Sequence, residues 1–188
     1  MLRRLREDDR GVTLIELMVY ALLLSSVILI IGGVAATSSI SERTVRSVVT
    51  ASTEAQLAVD AIETGIRNSS NFTLTNPTTS SQFVTARVAR GTTTVTYICA
   101  AWYYSSTLNN GSIHYKESTT AIAVPTTAQA ATWKLIVDDV KPSTGTTIFG
   151  GTDQLTIAFK VLADGHPPAS VSSSATSRSE NGASAPCF

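Results

Sequence analysis

The sequence predicts an α+β protein, with one long N-terminal helix packed on a C-terminal antiparallel β-sheet body. Three observations carry that reading. No charged residue stands between Leu17 and Ser41. An apolar stripe at helical spacing then continues through Val45, Val48, Ser52, Ala55, Val59, Ile62 and Ile66. Beyond residue 71 the helical period disappears, and Ser, Thr, Val, Ile and aromatic residues alternate in short runs bounded by turn residues.

Residues 1–11, "MLRRLREDDRG", read as a short polar leader with four arginines against three acidic residues. Residues 12–41 follow as a hydrophobic segment. An apolar helix of about 20 residues crosses the hydrocarbon core of a bilayer. Backbone groups in lipid must be satisfied within the segment, so a single span of this kind has to be helical. Glu16 interrupts the run close to its start, and an ionisable group at that position marks a functional site by default because its charge is costly in hydrocarbon.

Residues 42–67 continue the helix in amphipathic form, with Glu42, Arg46, Glu54, Asp60, Glu63 and Arg67 on the wet side of the stripe. Proline is absent from Met1 to Asn76, so one unbroken helix from about Thr13 to Arg67 is expected. It would be on the order of 80 Å long. A single dry face on its second half requires a body for it to lie on.

Residues 72–188 supply that body as an antiparallel β domain. "QFVTARVA" and "TTTVTYICAAWYY" read as strands, and Asn110-Gly111 between strand-like runs marks a hairpin. "TWKLIVDDV" and "DQLTIAFKVLAD" complete the strand set, separated by the turn-rich "KPSTGTTIFGGT". The Ser-rich stretch 165–186 reads as a flexible tail by composition. The two cysteines, Cys99 and Cys187, allow a single intramolecular pairing. A disulfide there would tether that tail and imply an oxidising compartment, whereas two reduced thiols would leave it loose.

Composition excludes several classes of function. Formal charge is zero from 14 basic and 14 acidic residues, which leaves no electrostatic footprint for nucleic acid. His114 and His166 are the only histidines, and no Cys or His spacing suits a metal. His114 is expected to face solvent or fill a sheet edge. Asp138 and Asp139 would point to opposite faces of a strand, no serine lies in a nucleophile motif, and "FGGTD" lacks the lysine of a phosphate loop. A protein that is not an enzyme and carries no cofactor is the expectation.

Taken together, "RGVTLIELMVYALLLSSVIL" resembles the N-terminal class III signal of type IV prepilins and type II secretion pseudopilins. Its elements are a basic leader, Gly11 before the cut, an apolar first mature residue, a glutamate at the fifth mature position and a long apolar helix. Val12 stands where phenylalanine is usual. The body, with "TVTYICAAWYY", "NNGSIHYKES" and "WKLIVDDVK", loosely resembles W-type minor pilins and J-type pseudopilins.

The resemblance implies a pilin-like fold, cleavage after Gly11 by a prepilin peptidase and N-methylation of Val12. It implies partners as well: other pilin or pseudopilin subunits, and an assembly platform protein with its ATPase. Processed subunits would wait in the cytoplasmic membrane, N-terminus in and body outside, and then enter a pilus or pseudopilus, with Glu16 paired to the N-terminal amine of a neighbouring subunit. The alternative is a membrane-anchored adhesive or binding protein that never polymerises.

Overall fold

In the computed structural model, which describes residues 13–91, 96–178 and 187, the first element is a single helix, α1, over Leu14–Arg67. The chain divides into two compact units, Met1–Val45 and Arg46–Phe188. Within the first, the described residues are helical from Leu14 onward and nearly all exposed. Five of its serines and threonines, Ser25, Ser26, Thr37, Ser39 and Thr44, return their hydroxyls to the helix backbone, as Ser25 does to the Ala21 carbonyl at 2.7 Å and Ser26 to the Leu23 carbonyl at 2.7 Å. An apolar helix can carry such residues because their polar atoms are satisfied locally.

The second unit begins with the remainder of α1 and continues, among the described residues, through nine strands. Five form one antiparallel sheet in chain order: β1 (Ser69–Thr78), β2 (Ser81–Arg90), β3 (Thr96–Ser105), β4 (Ser112–Ser118) and β5 (Lys134–Val137). A short helix, α2 (Thr127–Ala130), stands between β4 and β5. A second antiparallel sheet is built on β8 (Gln154–Ala163), which pairs with β6 (Val140–Pro142), β7 (Phe149–Gly150) and β9 (His166–Thr176).

One core joins α1 to both sheets. From the helix come Ala51, Ala55, Ala58, Val59, Ile62 and Ile66; the first sheet adds Val84, Ala86, Ala100 and Trp102, and the second adds Leu155, Ile157, Phe159 and Val161. Of the expected stripe, Ala55, Val59, Ile62 and Ile66 are buried, Val48 and Ser52 are partly buried and Val45 is exposed, while Ala51 and Ala58 are buried in addition. The stripe is lined by small residues for a steric reason. Trp102 occupies the space beside Gly65, where an added Cβ would lie 2.5 Å from its ring.

Register explains how the first sheet divides its faces. Val84 lies opposite Trp102, and Trp102 opposite Tyr115, all turned toward α1. Phe83, Tyr103 and His114 form the equivalent row on the other face. That face is covered too: Ile122, Ala130, Trp133 and Cys187 pack over Phe83, Cys99, Ala101 and Tyr103. Strand β2 is therefore buried on both sides over most of its length and does not show the alternation of a half-exposed strand.

The two sheets are tied through a buried glutamine. Gln82 Oε1 accepts from the backbone N–H of Ile148 at 2.6 Å and of Phe149 at 2.9 Å. Its Nε2 donates to the Phe149 carbonyl at 2.9 Å and to Asn76 Oδ1 at 2.9 Å. A buried amide with its hydrogen-bonding capacity filled fixes one arrangement of the segments it joins.

Four expectations are corrected. The body holds two sheets where one was expected, because "TWKLIVDDV" is not one strand. It breaks at Asp139, whose φ of 50° turns the chain from β5 into β6 of the other sheet. Asp138 and Asp139 thus stand at a corner and not on alternate faces of a strand. The first strand begins at Ser69, earlier than residue 72, because Ser69 donates its hydroxyl to the Ile66 carbonyl at 2.6 Å and pairs with Val88 at once. The stretch 166–176, read as tail, is β9, and it pairs with β8 along nearly its full length. Its two prolines stand at the start of the strand, where a missing N–H is tolerated. The turn before it is Asp164-Gly165, both at positive φ.

The contact of Gly65 with Trp102 gives a direct test. Gly65→Ala should lower the stability of the body by about 1–3 kcal/mol, because the new methyl overpacks a rigid ring. Urea unfolding of the detergent-solubilised chain, followed by tryptophan emission, measures it.

Candidate functional site

The start of α1 holds Glu16, the residue on which the sequence reading turns. Thr13 caps this end: its Oγ1 accepts the Glu16 N–H at 3.3 Å. Thr13 and Glu16 stand in the T-x-x-E spacing of a capping box, in which the N3 glutamate ordinarily returns to the cap backbone. Here Glu16 Oε1 instead accepts the hydroxyl of Tyr20, one turn further along, at 3.1 Å. Around this polar cluster the helix is apolar on every side, with Leu14, Ile15, Leu17, Met18, Val19, Leu22 and Leu23 all exposed.

That exposure is the main physical fact about the first unit. The helix is long and apolar enough to cross a membrane, and none of its most apolar stretch is buried by the protein. So much uncovered hydrocarbon on one surface marks a membrane or protein contact. The sequence-predicted processing residues, Gly11 and Val12, lie outside the described residues.

Cys99 and Cys187 are joined in a disulfide, with Cα atoms 5.3 Å apart and a sequence separation of 88. Both sulfurs lie in the apolar layer on the outer face of the first sheet, beneath Trp133 and beside Ile122. In the chain-entropy model a closure of this length contributes about 4–5 kcal/mol.

His114 belongs to the same layer and corrects a further expectation. It is 2% exposed, neither facing solvent nor at a sheet edge, because β5 and the segment before it close over β4. Its Nε2 is 3.0 Å from Ser112 Oγ, and Nδ1 makes no hydrogen bond of ordinary geometry. Burial lowers its pKa, with the Trp133 main chain a smaller opposing influence.

Beside the other edge of α1, a groove of about 670 Å³ runs between Leu57, Asp60 and Ala61 of the helix and Leu135 of β5, with Trp102 and Tyr115 among its walls. Arg90, Glu117 and Tyr115 are linked there through the Glu117 carboxylate. Burial first, and then the bonded Glu117, raises the Tyr115 pKa. The groove offers apolar surface rimmed by charges of both signs. Among the described residues, no group of three or more His, Cys, Asp or Glu is placed to hold a metal ion.

Sequence reasoning picked out Glu16, Cys99 and Cys187 but missed Tyr20, although a tyrosine four residues after a carboxylate on a helix is a readable spacing. Arg90 and Glu117 carry no such sign, since they come from β2 and β4 and meet only across the intervening strand β3. Comparison with family models, with curated proteins and with solved structures gives no match to this chain. The residues therefore carry the functional argument. They describe a long N-terminal helix on an antiparallel body, a generic pilin-like architecture with one helix of membrane-spanning length.

Two measurements test this layer. Replacing Cys99 or Cys187 by serine should destabilise the body by about 2–5 kcal/mol, read by urea unfolding, and native material should show no free thiol on labelling. The lowered pKa of His114 fixes the sign of a pH effect. The folded state favours neutral imidazole, so the stability linked to it is complete above the ordinary pKa near 6.5 and is lost as pH falls through the lower folded value. Melting temperatures between pH 7.5 and 5 should decline in wild type and decline less in His114→Gln.

Proposed function

We propose that this chain is a structural subunit, of the minor type, of a type IV pilus or type II secretion pseudopilus. A prepilin peptidase cuts it after Gly11, Val12 is N-methylated, and the subunit is held in the membrane by the first part of α1 until a platform protein and its ATPase draw it into a fibre. The observation that supports this best is the placement of Glu16. A carboxylate stands on the surface of a helix that is otherwise apolar all round, at a fixed distance from Gly11.

The physical argument concerns where such a group finds a partner. A carboxylate in hydrocarbon is costly. Beside another processed subunit it meets a free N-terminal amine, and a charge pair offsets much of that cost. Removing one member of a buried pair costs about 3–5 kcal/mol, which is enough to make pairing a condition for entry into the fibre. No enzymatic step is assigned to the chain, and its partners are other subunits, the peptidase, the platform protein and the lipid. A non-polymerising surface anchor gains nothing from Glu16 at this spacing.

Glu16→Ala should abolish recovery of the subunit in sheared surface fibres or in isolated pseudopili while leaving it in the membrane fraction. Intact-mass analysis of the membrane-extracted protein should give a chain beginning at methylated Val12. Normal incorporation of Glu16→Ala, or a mature chain beginning at Met1, would overturn the reading in favour of the simple anchor.

A further inference from the structure

We infer that Tyr20 is a positioning residue for Glu16, the group that holds its carboxylate in the membrane state and presents it for pairing. The inference rests on the assembly reading above and adds a residue to it. Three geometric facts carry it. Tyr20 is one helical turn after Glu16, and its hydroxyl donates to Glu16 Oε1 at 3.1 Å. Side chains on a helix lean toward its N-terminus, so a residue at this offset reaches back over the earlier position. The Glu16 backbone N–H is already engaged by Thr13, so the carboxylate is the part of the residue that Tyr20 orients.

The chemistry suits a waiting state. Both side chains stand exposed on the helix, where the surroundings of the apolar run would be lipid, and in lipid neither can rely on water. Tyrosine is one of the side chains whose ring tolerates the membrane interface while its hydroxyl seeks a partner. The hydroxyl fills one acceptor site and leaves the others open, since a carboxylate offers about four lone-pair positions. A cation approaching from a neighbouring subunit therefore meets a carboxylate that is already oriented and partly desolvated. Glu16 is the assembly residue, and Tyr20 acts through it.

An interfacial tyrosine could instead be an anchor unrelated to Glu16, and the test separates the two. In cells producing the full chain with its native partners, the ratio of subunit in the fibre fraction to subunit in the membrane fraction is measured. The set comprises wild type, Tyr20→Phe, Tyr20→Trp, Glu16→Asp, Glu16→Ala and the double change Glu16→Asp with Tyr20→Phe. Loss of a hydrogen bond to a charged group should lower the ratio by about tenfold in Tyr20→Phe. Tyr20→Trp, which keeps an interfacial aromatic ring but not the hydroxyl, should fall with it. In the Glu16→Asp background, where the carboxylate is one carbon short of the hydroxyl, Tyr20→Phe should have no further effect.

Wild-type ratios for Tyr20→Phe alongside failure of Glu16→Ala would overturn the role of Tyr20 and leave the assembly reading standing. That role is equally overturned if Tyr20→Trp behaves as wild type, or if Tyr20→Phe lowers the ratio to the same extent in both backgrounds, since either would mean that Tyr20 acts apart from Glu16. Normal incorporation of Glu16→Ala would overturn both.

Discussion

The body depends on how closely α1 can lie against the first sheet. Trp102 projects from the middle strand and needs a helix surface without bulk, and Gly65 provides it at the point of contact. Ala51, Ala55 and Ala58 continue the low surface along the helix, and Ile62 and Ile66 are fully buried in the same core as the ring. Interiors are packed to crystal-like density, so neither a gap nor an extra methyl is neutral there. Because the same core takes in Leu155, Ile157 and Phe159, the position of α1 also determines how the second sheet closes.

The other constraint is that the first sheet is covered on both faces. Its inner face lies on α1, while its outer face lies under the chain between β4 and β5 and under Cys187. Sheets covered on two sides lose the alternation that makes strands easy to recognise. The outer layer is thin, built from Ile122, Ala130 and Trp133 with a sulfur bridge, and it encloses His114. Few apolar residues hold that cover down, so a covalent bond within it matters more than it would in a thick core.

Much of this was legible in the residues. The helix, its apolar first part and the stripe on its second part follow from periodicity and the absence of proline. Strand β8 alternates as written, and its residues are buried accordingly. Where the reading failed, the reason is specific. Strand β9 is an edge strand with many of its polar side chains at least partly exposed, so its serines resemble a tail, and the one sign of a hairpin, the Asp164-Gly165 pair, was passed over. The break at Asp139 could not be seen because a positive φ at aspartate leaves no compositional trace. Burial of His114 depends on residues from β3, β4 and the following segment meeting in space, which no local pattern encodes. Of the candidate site, the carboxylate was visible at once, whereas its contact with Tyr20 requires side-chain direction as well as spacing.

The bridge from Cys99 to Cys187 has a mechanical meaning. A load passed from α1 to Cys187 crosses from β3 through the two sulfurs and does not run along β4 to β9. The sequence separation of 88 between the cysteines is removed from the extensible length of the chain. Fully drawn out it would add about 300 Å at roughly 3.4 Å per residue. With the bond in place, the covalent path between these points takes in only α1, β1, β2 and the start of β3, and β4 to β9 lie in the loop that the bond closes.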